Sequence, residues 1–334
     1  MLSPKRYTLI IFVVLALSLI LGACQGGGQS AQTDQVTVQL SWFHTVEFAG
    51  FYAAEEQGFY EDENIAVTLE PGGFDVQPWE VVAEGDADFG VTGGGAAMIA
   101  RSEGLPIKAI GAIFRQSPVA LMALAESGIQ TPEDMIGKRV GTISPNLDDP
   151  NDIQFLAMLQ ELGIDRSEME LVPIEDYSVG SLTSGEMDVS SVFSTNEPID
   201  ARQKGFDVNL IFPHEYGVLM YANVIFTTDQ MINENPDLVE RFMRATLKGY
   251  QYAIENPDEV AALALEYDPE LDLAFQKETM KVQVPLIDTG DAPIGFMDET
   301  VWESTLEILK EQNFITSPVN LNDVYTNEFV EEAQ

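Results

Sequence analysis

Basic residues are scarce. The 334 residues include 16 Lys+Arg against 55 Asp+Glu, a formal net charge of −39. Phosphate backbones are gripped by clustered positive charge, so this balance argues against a nucleic-acid partner. It also repels anionic lipid headgroups, so membrane attachment would need something other than surface charge. Cysteine occurs once, at Cys24, which excludes an intrachain disulfide and a cysteine metal cluster. The two histidines, His44 and His214, leave little material for a zinc site or a catalytic triad. We therefore expect no metal site, no cofactor and no such catalytic chemistry. The N-terminal apolar run, Tyr7–Leu21, has 15 residues, short of the roughly 20 that a bilayer span requires. What is present suits a globular body: 45% hydrophobic residues, 26 Gly and 17 Pro. The length allows two ordinary domains or one large one.

The N-terminus carries an address. Lys5 and Arg6 precede the apolar run, and Leu21-Gly22-Ala23-Cys24 follows it. Positive, apolar, then small is the order of a secretory signal. A cysteine directly after Leu-Gly-Ala resembles a bacterial lipoprotein signal, in which the peptide is cut before the cysteine and the thiol is lipidated. The resemblance implies a signal peptide over 1–23 and a lipid on Cys24. Residues 25–35, QGGGQSAQTDQ, have the composition of a flexible tether, so 24–35 is read as the link to the body. The expected location is outside the cytoplasm, at a bacterial membrane surface.

Strands and helices alternate along the body. Val36–Leu40 is β-branched and alternating, and 48–57 reads as a helix stopped by Gly58. Further strands are predicted at 65–69, 87–91, 107–113, 120–125, 139–142, 170–172, 189–193, 209–212 and 222–228. Helices are predicted at 76–84, 96–103, 151–162 and near 178–184. Thr92-Gly93-Gly94-Gly95 reads as a tight glycine turn. Beyond 229 the chain is mostly helical, with Asn235-Pro236 and Asn256-Pro257 each opening a helix. The tetrapeptide ENPD occurs twice, but its surroundings do not repeat, so no internal repeat is assigned. Alternating β and α elements predict an α/β protein with mostly parallel sheets.

Five segments carry a family resemblance. Residues 38–62 read VQLSWFHTVEFAGFYAAEEQGFYED: a strand, a Trp, a short loop and a helix of pattern AG-x-Y-x-A-x-E-x-G-F. Then come EGDADFGVTGGGAAMIARSEGLPIKAIG at 84–111, with a G-x-x-D-x-G pattern, and GKRVGTISP at 137–145. FSTNEP at 193–198 and VYTNEF at 324–329 complete the set. In order and spacing they resemble the substrate-binding proteins of ABC transporters of the nitrate, sulfonate and taurine group. The likeness is greatest to the branch that captures pyrimidine precursors of thiamine. The resemblance implies the two-lobed (type II) periplasmic-binding-protein fold, with lobes of mostly parallel sheet flanked by helices. One lobe is expected at 36–116 plus 227–334 and the other at 117–226, closing on a ligand about a hinge. Also implied are a permease partner, a monomer, and a small heteroaromatic ligand of hydroxymethylpyrimidine or formylaminopyrimidine type. A fungal pyrimidine synthase of this family carries a Lys and a His in the segment corresponding to 89–99. Here that segment is FGVTGGGAAMI, with Thr92 and Ala96 at those places, which speaks against synthase activity.

Candidate ligand contacts follow from positions after strand ends. Trp42 and Phe43 end the first strand, where an indole could stack on a flat ring or simply fill the core. Glu47 could accept from an exocyclic amino group or stand solvated at a helix start, and His44 lies beside it. Tyr52, inside the first helix, is expected in the core. Gly94 and Gly95 could offer backbone N–H groups or only form a turn. From the second lobe, Ser144, Asn146, Asp148, Asn196 and Glu197 are candidates, and Tyr221 lies near the return crossing. Tyr325 and Glu328 belong to the C-terminal motif, which could serve only to hold the last helix. Segments 41–47, 92–96, 144–148 and 194–198 contain no Lys or Arg, which favours a neutral or weakly cationic ligand. A flavin-type ring, or an anion held by backbone amides as in sulfonate, nitrate or taurine binding, remains the alternative.

Overall fold

The computed structural model describes residues 33–144, 147, 149–175 and 178–333. The signal segment, Cys24, most of the tether, Asn146 and Asp148 lie outside the described residues.

Among the described residues, ten strands form two five-stranded sheets. The first holds β1 (Asp34–Gln39), β2 (Ile65–Glu70), β3 (Phe89–Thr92), β4 (Ile107–Ala112) and β10 (Val224–Thr228), in the order β2-β1-β3-β10-β4. The second holds β5 (Val119–Leu124), β6 (Arg139–Thr142), β7 (Glu170–Pro173), β8 (Val189–Phe193) and β9 (Val208–Ile211), in the order β7-β6-β8-β5-β9. The principal helices are α1 (Ala49–Glu56), α2 (Gly94–Ser102), α3 (Pro150–Glu161), α4 (Glu197–Gln203), α5 (Pro236–Glu255), α6 (Leu273–Ile287) and α7 (Glu299–Glu311).

Each sheet contains one strand antiparallel to its neighbours. β10 runs against β3 and β4, and β5 runs against β8 and β9. Both have the same cause. In βα units the parallel strands all end at one sheet edge. The chain leaves β4 at that edge, crosses over residues 113–118, and enters β5 opposite the end of β8, with Val119 facing Phe193. It returns over 212–223 and enters β10 with Val224 facing Thr92. A strand arriving from the other sheet begins where its neighbours end, so it must run the opposite way. The return crossing ends before Val224, so residues 224–226, expected in the second lobe, pair in the first sheet.

The two sheets share a device that no sequence repeat announced. Gly85 and Gly185 end short helices with φ of 84° and 75°, a conformation that glycine adopts without steric cost. Three residues on, Asp88 and Asp188 exchange bonds with the neighbouring strand. Thr37 N–H donates to Asp88 Oδ2 at 2.8 Å, and Arg139 N–H donates to Asp188 Oδ2 at 2.9 Å. The aspartate N–H groups donate back to the Thr37 and Arg139 carbonyls at 2.9 Å. The Gly-x-x-Asp pattern thus fixes register between parallel strands in both sheets.

The first sheet is covered by α1 and α5, with Phe89 stacked on Phe242 at 3.8 Å between ring centroids. The helices close tightly because Gly249 lies against Gly50. A Cβ on Gly249 would stand 2.1 Å from the Gly50 carbonyl oxygen, closer than any relaxation of side chains alone could accommodate.

The expected glycine turn at 92–95 is corrected. Gly93 is the N-cap of α2, and Gly94 and Gly95 already belong to its first turn. Glycine here lets the helix start pack close against the return segment. A Cβ on Gly94 would lie 3.1 Å from the Tyr221 carbonyl oxygen, and one on Gly95 3.1 Å from Met220 Sδ. Among the described residues, no helix is long and apolar enough to cross a membrane.

Candidate ligand-binding site

The strand ends of the first sheet bring four segments together: the loops after β1, β2 and β3, and the residues before β10. Trp42 is half-buried against the core and meets Phe74 edge-on at 4.8 Å and Phe43 at 5.3 Å between centroids. Phe43 is 46% exposed and Phe74 63%. Gly72 sets the cluster. Its N–H donates to the Trp42 carbonyl at 2.9 Å, and a Cβ there would stand 2.4 Å from the Leu40 carbonyl oxygen. The Pro71-Gly72-Gly73 turn therefore lies flat on the Trp42 backbone and delivers Phe74 to its ring. Sequence reasoning missed Phe74. The available signal was an aromatic directly after a Pro-Gly-Gly turn at a strand end.

Glu47 stands in a 3₁₀ turn, Val46–Phe48, capped by Thr45. Its carboxyl accepts from Nδ2 of Asn223. Burial pushes its pKa from 4.5 up to about 7, with the Asn223 bond pulling the other way. The turn is anchored on α6: Val46 N–H donates to Gln276 Oε1, and Gln283 Nε2 donates to the Val46 carbonyl, both at 2.8 Å. Asn223, which the sequence did not single out, is 4% exposed, and its carbonyl accepts from Ile113 N–H at 3.0 Å. His44 Nδ1 is 3.1 Å from the Tyr52 hydroxyl, and its ring lies 4.9 Å from Tyr267. Burial lowers the His44 pKa, against the pull of Asp268 and Glu70. Tyr52 is a core residue, as expected.

Tyr221 departs from its expected role. It is 1% exposed, its hydroxyl accepts from Asp298 N–H at 2.6 Å, and its ring packs 5.6 Å from Trp302. Its backbone shapes the site instead, because its carbonyl takes the Gly94 N–H at 2.9 Å. Gly94 thus has no free N–H for a ligand.

At the second sheet the strand ends carry Ser117, Ser144, Asn196 and Glu197, and Gln154 reaches Ser117 from α3. Ser117 Oγ donates to Gln154 Oε1 at 2.9 Å, which leaves Gln154 Nε2 buried without a partner. Ser144 N–H donates to Asp152 Oδ2 at 2.7 Å. Asn196 is exposed at the N-cap position of α4, and its amide donates to Glu197 Oε1 at 3.3 Å. Glu197 is buried, accepts from Phe193 N–H at 2.9 Å, and is pushed up to about 7 by burial. The C-terminal motif is structural at Tyr325, which bridges Ala109 of β4 and stacks on Trp302, while Glu328 is exposed.

The crossings are tied to the loop between α6 and α7. Arg115, with its side chain 2% exposed, donates to Asp298 Oδ2 at 2.8 Å and the Phe296 carbonyl at 3.2 Å, and also bonds Asp291 and Thr289. Bonds from Thr289 and Arg115 hold the Asp291 carboxyl at about 2.

Residues 45–260 match the family model described as NMT1/THI5 like. The chain belongs to the NMT1/THI5-like family. It is similar to the riboflavin-binding protein RibY of Chloroflexus aurantiacus, 27% identical over 72% of this chain and 70% of that one. The formylaminopyrimidine-binding protein of Halalkalibacterium halodurans is 25% identical over 95% of this chain and 98% of that one. The 4-amino-5-hydroxymethyl-2-methylpyrimidine phosphate synthase of Legionella pneumophila is 25% identical over 91% and 95% respectively. Among solved structures, the periplasmic aliphatic sulphonate binding protein SsuA of Escherichia coli superposes with a TM-score of 0.71 at 13% identity, covering 87% of this chain and 91% of that one. The family and the two-lobed α/β fold expected from the sequence are both borne out.

Proposed function

We propose that this NMT1/THI5-like protein is the extracytoplasmic solute-binding component of an ABC importer, and that it captures a thiamine-type aminopyrimidine by hinge closure. One observation carries the reading. An exposed aromatic cluster around Trp42 and a half-buried acceptor residue, Glu47, stand five residues apart at the strand ends of the first sheet. A flat ring with an exocyclic amino group suits that pair: the indole face covers the ring, and the carboxyl accepts from the amino group. The lobes would be 36–116 plus 224–334 and 117–223, the boundary expected at 226 shifting to the end of the return crossing, with Asn196 and Glu197 meeting the ligand from the second lobe. Two relatives named for binding a flavin or a pyrimidine support a heteroaromatic ligand. The relative named as a synthase makes enzyme activity the competing reading.

The body would act as a monomer beside its permease, tethered by lipid on Cys24. Fractionation of the full chain and of Cys24→Ser tests the anchor: the wild type should sediment with membranes and the variant should not. Equal fractionation would count against it. For the ligand, thermal shifts with 4-amino-5-hydroxymethyl-2-methylpyrimidine, its formylamino analogue, riboflavin, taurine and nitrate separate the readings. A ligand at a hundredfold excess over Kd stabilises the folded state by about 2.7 kcal/mol. The pyrimidines should shift the transition and leave the protein chemically unchanged. A shift with taurine or nitrate alone, or turnover of a pyrimidine precursor, would overturn the proposal.

A further inference from the structure

Asn223 sits where three segments converge. It is the last residue of the return crossing, one position before β10. Its carbonyl holds Ile113 of the outgoing crossing, and its side chain reaches Glu47 in the loop after β1. Two residues earlier, Tyr221 fixes the start of α2 through Gly94. A 4% exposed amide is costly unless bonded, and Glu47 supplies that bond.

Glu47 needs the bond as much. The groups around it are neutral. Tyr52 on α1 and Tyr250 on α5 both feel its charge, and each phenol is pushed above its ordinary value, chiefly by burial. From α6, Gln276 and Gln283 bond the adjacent Val46 backbone. His44, in the same loop, is turned to Tyr52. A half-buried carboxyl set among amides and phenols, with an amide as its hydrogen-bond donor, has the surroundings in which functional carboxyls are found.

We propose that Asn223 is the positioning residue of this site: from the segment around which the lobes close, it fixes the orientation and charge state in which the Glu47 carboxyl meets a ligand. This rests on Glu47 being the ligand's acceptor. The amide bonds Oε1 of Glu47 from the last residue of the return crossing, so the acceptor keeps its direction while the second lobe moves.

The test joins two readouts on the mature protein. In the free protein, the Glu47 carboxyl is titrated by 13C NMR and assigned through Glu47→Gln. Asn223→Ala removes a donor that favours the charged form, so the Glu47 midpoint should rise by about one pH unit. Binding of 4-amino-5-hydroxymethyl-2-methylpyrimidine is then measured by calorimetry at pH 8. Asn223→Ala should weaken it about tenfold or more in the wild-type background, and not further in a Glu47→Gln background. Asn223→Asp, nearly isosteric, places a second carboxyl beside Glu47 and should raise the midpoint further. It serves as the readout if the alanine variant does not fold. An unmoved midpoint, or an equal loss of binding in both backgrounds, makes Asn223 structural only and overturns the proposal. If the wild type binds no pyrimidine, the functional reading fails, while the titration still decides whether Asn223 governs Glu47.

Discussion

Glu47→Gln should make the ligand-free protein more stable, and by an amount that depends on pH. The folded carboxyl titrates at about 7 against an ordinary 4.5, and burial is the main cause. Between those values the folded state holds a proton that the unfolded chain has released. Stability therefore falls as pH rises through this window. Well above pH 7 the wild type carries the full penalty, roughly 3 kcal/mol. At pH 5 most of it is absent, with less than about 1 kcal/mol remaining. Glutamine keeps the oxygen that accepts from Asn223 and carries no charge to desolvate. Its gain should approach 3 kcal/mol at pH 8.5, or about 6 °C for a body of this size at about 2 °C per kcal/mol. At pH 5 it should be about 1–2 °C. Thermal unfolding of both proteins at both pH values checks this. An equal difference at pH 5 and pH 8.5 would refute the burial argument. The same change should weaken ligand binding, since a hydrogen bond to a charged group contributes roughly 1.5–3 kcal/mol. Stability gained where function is lost marks a group retained for binding.

Two further outcomes are expected. Trp42→Ala and Phe74→Ala should each weaken binding of an aminopyrimidine by about tenfold, since about 1.4 kcal/mol is one decade and stacking with burial exceeds it. Calorimetry reads the loss, and Phe74→Ala, at 63% exposure, should leave the melting temperature unchanged. Arg115→Ala removes bonds to Asp298, Asp291, Thr289 and the Phe296 carbonyl. The two carboxylates remain hydrated at 71% and 44% exposure, so the cost should be about 2 kcal/mol, or about 4 °C in melting temperature. A loss under about 1 °C would show that the crossing does not depend on this clamp.

Much of the fold was legible because parallel strands buried on both faces read as short apolar runs between helices with clear stops. The predicted strands at 65–69, 107–113, 139–142 and 189–193 fall within a residue or two of those observed. What escaped reading depended on distance along the chain. The shared strand lock rests on Gly85 and Asp88 against Gly185 and Asp188, too few matching residues to register as a repeat. The sequence left Glu47 open between a ligand acceptor and a solvated carboxylate because its donor, Asn223, lies 176 residues away. Tyr221 was placed at the site for its position near the crossing. Its ring turns inward because Asp298 N–H and Trp302, both beyond residue 290, give it a buried home. The glycines at 94 and 95 read as a turn because the pressing neighbours, Tyr221 and Met220, come from the far side of the second lobe.

An aromatic ring bearing an amino group is the ligand proposed for this fold. The most direct measurement is calorimetric titration of the purified, ligand-stripped protein with 4-amino-5-hydroxymethyl-2-methylpyrimidine at pH 8. A saturable one-to-one isotherm is expected, with affinity about tenfold lower in Glu47→Gln. An isotherm seen only with taurine or nitrate, and flat for the pyrimidine, would contradict it.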